Sequence, residues 1–442
     1  MPSALIRAEW VLPVEGPVVQ GGGVLVQDGA IVAVGRERDL PPCDGVPVTD
    51  LGGAILIPGL VDAHCHLEWG LMGGLVPDAG FGDWLGAFIH RTAGVTPADR
   101  EQAARWAALT ALRRGTTTLA DSGPSGFAAP AAGQAGLRAV VHMEIFGRDT
   151  GHDAREKVAR HGEALLEARE QAGPRVRMGA SPHSPYTVGP ELWSEVLADP
   201  ILGAAPLAAH VAESPDEVLL LDQQVGPLVE AITSVGRDPA RWPGGGPGVV
   251  SRLEAAGALA PGLVAAHCVQ VDEDDAALLA ARDVRVAHCP HSNARLQCGD
   301  APVEVLQALG VAVGLGTDSP ASAGAYDLRD EARWAAEGVA RRGGTPLAAD
   351  MLAMATIGSA TVLGMQGEVG SLVPGKRADM VAIRPFEGAP VEADPSLVAL
   401  DPRSRIAASW VDGELVLGPD GPVLLDAGAI EADAAEARAR IM

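Results

Sequence analysis

Positive charge is scarce in this chain. Lys and Arg total 33 against 57 Asp and Glu in 442 residues, for a formal net charge of −24. A surface that tracks phosphates needs clustered cations, so a nucleic-acid partner is not expected, and the acidity reads as a solubility feature. Cysteine is sparse as well. Cys43, Cys65, Cys268, Cys289 and Cys298 are odd in number, widely spaced and without a CxxC pair. No disulfide framework is expected, and a reducing, cytoplasmic setting fits. The stretch from Met1 to Trp10 lacks the basic-then-apolar order of a signal peptide. No apolar run continues for the roughly 18 residues of a transmembrane helix, so no membrane partner is expected. Aromatic residues make up 3% of the chain.

Hydrophobic residues supply 47%, enough for a sizeable core, and the length suits one large barrel plus an accessory unit. Residues 1–57 read as short strands and turns, with Val24–Val26 and Ile31–Val34 on either side of Asp28-Gly29. From 58 to 366, apolar segments alternate with amphipathic stretches such as Arg100–Arg113 and Asp153–Gln171. The candidate strands are Gly59–Ala63, Thr116–Asp121, Arg138–Ile145, Val176–Ser181, Leu207–Ala212, Leu263–Val269, Val284–Cys289 and Ala312–Thr317. Eight such alternations predict an α/β chain folded as a (β/α)8 TIM barrel. A doubly wound open sheet would carry a glycine-rich phosphate turn after its first strand, and none is there. Residues 367–442 return to strands at Ala378–Ile383, Ala408–Val411, Glu414–Leu417 and Pro422–Leu425, then end in a helix. The N- and C-terminal strands are expected to pair into a β-sandwich flanking the barrel.

Catalytic groups of such a barrel sit at the C-terminal ends of its strands. The first strand ends in Asp62-Ala63-His64-Cys65-His66, and residues two apart on a strand share a face. The fifth ends in His210-Val211-Ala212-Glu213, the sixth in His267 and the eighth in Thr317-Asp318. One polar strand end is usually a cap or a satisfied turn. Four presenting His/His, His, His and Asp together point to a metal. His64, His66, His210 and Asp318 form a nitrogen-rich set with one carboxylate, suited to Zn²⁺ or Fe²⁺. A two-metal centre would need a bridging ligand, often a carboxylated lysine on strand four. Lys157 and Lys376 are the only lysines, and neither ends a barrel strand. One divalent ion is therefore expected.

The run Pro58-Gly59-Leu60-Val61-Asp62-Ala63-His64-Cys65-His66, followed in order by His210, His267 and Asp318, resembles the amidohydrolase superfamily. The likeness extends to Gly375-Lys376-Arg377-Ala378-Asp379. The His210–Glu213 spacing, Ser181-Pro182-His183-Ser184-Pro185-Tyr186-Thr187 and Cys289-Pro290-His291-Ser292-Asn293 are similar to its deaminase branch, which also holds triazine hydrolases. The resemblance implies hydrolytic removal of an exocyclic amino group by a metal-activated water. It implies that Glu213 carries a proton from that water to a ring nitrogen, that His267 orients and stabilises, and that Asp318 serves both metal and proton transfer.

Leu67-Glu68 after the HxH motif and the later Trp84-Leu85 look most like aminodeoxyfutalosine deaminases of menaquinone synthesis. Methylthioadenosine/S-adenosylhomocysteine deaminases share the later motifs. Guanine or pterin deamination, triazine dechlorination and a non-catalytic binding protein are the alternatives. The candidate substrate contacts are Glu68, Asp83 and His183 for sugar or base, Trp69 and Trp84 for stacking, and Arg148 for a carboxylate. Arg295 and His291 are open between pocket and structural roles. The expected partner is a small molecule. Barrels of this class often dimerise, which leaves a homodimer open.

Overall fold

The computed structural model describes residues 3–42, 45–243, 248–389 and 393–442. Cys43 lies outside the described residues; Cys65, Cys268, Cys289 and Cys298 are free and buried.

Eight strands lie where the apolar segments predict them, in two parallel four-stranded sheets. The first sheet holds β1 (Leu60–Cys65), β2 (Thr116–Gly123), β3 (Arg138–Ile145) and β4 (Val176–Pro182). The second holds β5 (Ala208–Val211), β6 (Val264–His267), β7 (Arg285–His288) and β8 (Val313–Leu315). Nearly every residue of these strands is buried, which is why they read as continuous apolar runs rather than alternations. Backbone contacts join the two sheets on both sides. Ala180 N donates to Pro206 O and Val264 N to Leu207 O, each at 2.9 Å, linking β4, the start of β5 and β6. Asp318 N donates to His64 O at 3.0 Å and His66 N to Asp318 O at 2.9 Å, linking the residues after β8 to β1.

The connecting helices follow their local signals. The stretch Arg100–Arg113 belongs to a helix over Pro97–Arg113, begun by a proline in its first turn and a reciprocal cap between Thr96 and Asp99. The stretch Asp153–Gln171 lies within a helix over Gly151–Gln171. Two further helices, α1 (Phe81–Thr92) and α2 (Pro227–Ser234), pack together over the C-terminal ends of the strands. Gly82 permits that approach, since a Cβ there would come within 2.6 Å of Leu228 N.

The terminal segments share one nine-stranded sheet. Met380–Arg384 pairs antiparallel with Ile55–Pro58 and so joins the two ends of the chain. Ala4–Val11, within the segment read as short strands and turns, lies inside this sheet, antiparallel to Val19–Gln27 and parallel to Ile55–Pro58. The expected strand Pro422–Leu425 is shorter than predicted. The strand itself spans only Gly421–Pro422, and one further bond, Val423 N to Val416 O at 3.0 Å, follows before the chain turns into the helix Ala427–Ile441. Among the described residues, no helix is long and apolar enough to cross a membrane.

Candidate active site

The histidines gather because the strand ends converge. His64 lies on β1, His66 just beyond it, and His210 on β5; their ligand atoms fall within 4.8 Å of one another. Gly316, after β8, allows this closeness: a Cβ there would stand 2.8 Å from His64 O. Ala212, His267, Cys268 and Asp318 all adopt left-handed backbone, with φ of 51°, 73°, 46° and 54°. Four non-glycine residues in that region at one rim is a cluster of strain of the kind that functional sites retain.

The tautomers follow from the partners. His66 Nδ1 lies 2.5 Å from Ser122 O, and His210 Nδ1 lies 2.9 Å from His183 O. A carbonyl only accepts, so each Nδ1 carries the hydrogen and each Nε2 presents a lone pair. Those two Nε2 atoms face each other at 3.2 Å. Burial, reinforced by the neighbouring histidines, pushes the His210 pKa well below its usual value. The same causes act on His64, whose Nε2 is buried without a hydrogen-bond partner. Asp318 Oδ2 accepts from Ser292 Oγ and Ser322 Oγ at 2.6 Å each, while Oδ1 stands 3.4 Å from His66 Nε2. Converging lone pairs and a braced carboxylate are unfavourable alone and are satisfied by a divalent cation. The donor set fits one.

Beside this set, Glu213 Oε1 stands 3.6 Å from His267 Nε2. His267 Nδ1 lies 2.9 Å from Asn293 Oδ1, which fixes the ring. Burial, followed by the charges of Asp318 and Glu217, pushes the Glu213 carboxyl well above its usual range. A carboxyl raised in this way can hold a proton that an ordinary carboxylate would have lost.

The group opens onto a cavity of about 920 Å³. Trp69, Trp84, Arg148 and His183, all named from the sequence, line it together with His66, His210, Glu213, His267 and Asp318. Trp69 and Trp84 share one aromatic wall with Phe88, at ring separations of 5.5 and 5.0 Å. Arg148 pairs with Asp238 on the rim, at 3.1 Å. Two other sequence candidates lie apart from the cavity lining. Glu68 is fully buried, and its Oε1 accepts from Ser125 N at 3.0 Å and Phe127 N at 3.4 Å, so it braces the loop after β2. Asp83 is exposed on α1, next to the buried Trp84. Arg295 is held by Asp78 and by Ala323 O, and His291 stacks on Trp334. The sequence reading passed over Glu144, a buried carboxylate in the cavity wall at the end of β3. Its signal was an acid within the apolar run from Ala139 to Ile145.

The sequence pattern of the amidohydrolase family matches residues 55–416. The chain is 35% identical over 395 residues to the 5-methylthioadenosine/S-adenosylhomocysteine deaminase of Symbiobacterium thermophilum, which covers 87% of this chain and 85% of that protein. The structure matches an adenosine deaminase from Xanthomonas campestris with bound zinc, with a TM-score of 0.82 and 29% identity over 100% of this chain and 98% of that one. It also matches Helicobacter pylori aminofutalosine deaminase, with a TM-score of 0.77 over 94% of this chain and 100% of that one; at 19% identity this is a likeness of fold. A family match over most of its length, on a site with this donor set, means that the chain belongs to the amidohydrolase family.

Proposed function

We propose that this enzyme is a metal-dependent deaminase of adenine-type nucleosides. The observation that carries the reading is the pair of opposed lone pairs, His66 Nε2 and His210 Nε2 at 3.2 Å, at the buried end of a nucleoside-sized cavity. The architecture that goes with it is a closed (β/α)8 barrel over residues 58–366, flanked by a β-sandwich from residues 1–57 and 367–442. The backbone contacts that link the two parallel sheets on both sides support closure.

His64, His66, His210 and Asp318 would hold one divalent ion, with zinc favoured by the donor set and by the zinc in the Xanthomonas structure. When bound, such an ion supplies a water acidic enough to attack at neutral pH. The chain's own groups do the rest. Glu213 passes a proton to a purine ring nitrogen, which draws electrons from the carbon bearing the amino group. His267, fixed by Asn293, faces Glu213 and steadies charge at the reacting carbon. Asp318, braced by two serines, delivers the second proton to the departing ammonia. The overall change is adenine nucleoside plus water to hypoxanthine nucleoside plus ammonia.

Two 5′ substituents are supported. The Symbiobacterium relative favours methylthioadenosine or S-adenosylhomocysteine. The wall of Trp69, Trp84, Phe88 and Phe146 with Arg148 at the rim favours an aromatic carboxylate, as in aminodeoxyfutalosine of menaquinone synthesis. The Leu67-Glu68 signal no longer separates them, since Glu68 braces a loop. Ammonia release from metal-replete protein, with aminodeoxyfutalosine, methylthioadenosine, S-adenosylhomocysteine, adenosine, guanine and a pterin, tests the reading. Turnover confined to the nucleosides is expected. Turnover confined to guanine or the pterin, or none at all, would overturn it.

A further inference from the structure

A nucleoside deaminase needs a group that reads the sugar, and the two acids the sequence offered for that task do not reach the cavity. Other carboxylates in the cavity wall are engaged. Asp318 is held by two serines, Asp149 by Lys157 and Asp238 by Arg148. Glu213 faces His267. Glu144 differs: its Oε1 is buried, lines the cavity and has no hydrogen-bond partner.

The nearest nitrogens are His183 Nε2 at 3.9 Å and His66 Nδ1 at 4.0 Å. Both are too far for a direct hydrogen bond, and His66 Nδ1 is committed to Ser122 O. His183 Nδ1 lies 2.9 Å from both Ser184 Oγ and Thr187 Oγ1, so a hydroxyl hydrogen can be donated to it. His183 Nε2, on the far side of the ring from those hydroxyls, is the nitrogen that lies toward Glu144. Two buried polar groups, the His183 ring and the Glu144 carboxyl, therefore face the cavity with no hydrogen bond between them. A purine ring nitrogen has one lone pair and can bond only one of them. A hydroxyl both donates and accepts, so it can bond both.

We infer that Glu144 and His183 form the ribose-recognition pair of this site, gripping one sugar hydroxyl between them. The inference rests on the nucleoside-deaminase reading and adds Glu144 as a specificity-determining residue. The pair makes the enzyme prefer a ribonucleoside over its deoxy form, because a deoxy substrate leaves a buried carboxyl without a partner.

The test compares kcat/KM for adenosine, 2′-deoxyadenosine and 3′-deoxyadenosine in wild type, Glu144→Ala and Glu144→Gln, with bound metal measured in each. Wild type should disfavour one deoxy form by about 10- to 100-fold, the cost of leaving a buried polar group unpaired. Glu144→Ala should collapse that ratio to within about threefold, mainly through KM and at unchanged metal content. If the alanine variant does not fold, Glu144→Gln carries the test and should lower the ratio by at least about threefold. Wild type without a deoxy penalty, variants that slow all three substrates equally, or loss of a metal equivalent would each overturn the pair. Absence of turnover with the adenosine series and the whole nucleoside panel would instead overturn the deaminase reading, and the pair with it.

Discussion

One strand, β3, carries a buried ionisable group near each end, and the two are treated in opposite ways. At its start, Arg138 donates to Asp379 at 3.0 Å and to Asp412 at 2.8 Å, and Arg175 adds a bond to Asp412 at 2.7 Å. These bonds tie the strand starts to the loops of the terminal sheet, and each group has its partner. At the other end, Glu144 is just as buried, yet its Oε1 has none. Nearby, His64 Nε2 is equally without one. Leaving such a group unpaired costs about 1–3 kcal/mol. The satisfied end reads as structure and the unsatisfied end as a site awaiting its ligands.

The largest effect should come from the open end. Glu213→Gln removes the proton carrier but keeps the shape, and kcat should fall by about 10²- to 10⁴-fold with metal still bound. Rates within about threefold of wild type would remove Glu213 from the chemistry. The closed end should respond in stability. Arg138→Ala leaves Asp379 buried and uncompensated, and denaturant unfolding should show a loss of about 3–5 kcal/mol, with kcat/KM of the folded fraction unchanged. A large change in kcat/KM at unaltered stability would erase the contrast between the two ends.

Two smaller tests sharpen it. Glu68→Ala strips an acceptor from Ser125 N and Phe127 N and should cost about 1–3 kcal/mol while KM holds. A tenfold rise in KM would instead return Glu68 to the cavity. The smallest effect concerns pH. Burial raises the Asp412 pKa, but Arg138 and Arg175 outweigh it and hold the carboxyl below its usual value of 3.8. Its stabilisation is therefore present above pH 3.8 and is lost as pH falls through the lower, folded value. The thermal midpoints of wild type and Asp412→Asn should differ above pH 3.8 and converge below it. A gap that widens in acid would reverse the sign.

The strands and the gathering of His64, His66 and His210 were legible because their signals are local. Buried parallel strands print apolar runs, and His64 and His66 sit two apart on one strand. What the sequence hid depends on direction and distance. Glu68 and Glu144 look alike as letters, but one side chain meets loop amides and the other a cavity. The left-handed backbone at Ala212, His267, Cys268 and Asp318 falls on residues that give no glycine signal. Ala4–Val11 lacks clean alternation, and its place inside the terminal sheet comes from pairing with distant Ile55–Pro58. Arg295 is charged and near a strand end, as a binding residue would be, and is taken up by Asp78.

The most direct test of the account is a metal titration of chelator-stripped protein, following bound metal and ammonia release from an adenine nucleoside together. The facing Nε2 atoms of His66 and His210 predict one tightly bound divalent ion, activity that rises with it to a single equivalent, and loss of both in His66→Ala and His210→Ala. Ammonia release that persists without metal, or that is indifferent to those two histidines, would contradict it.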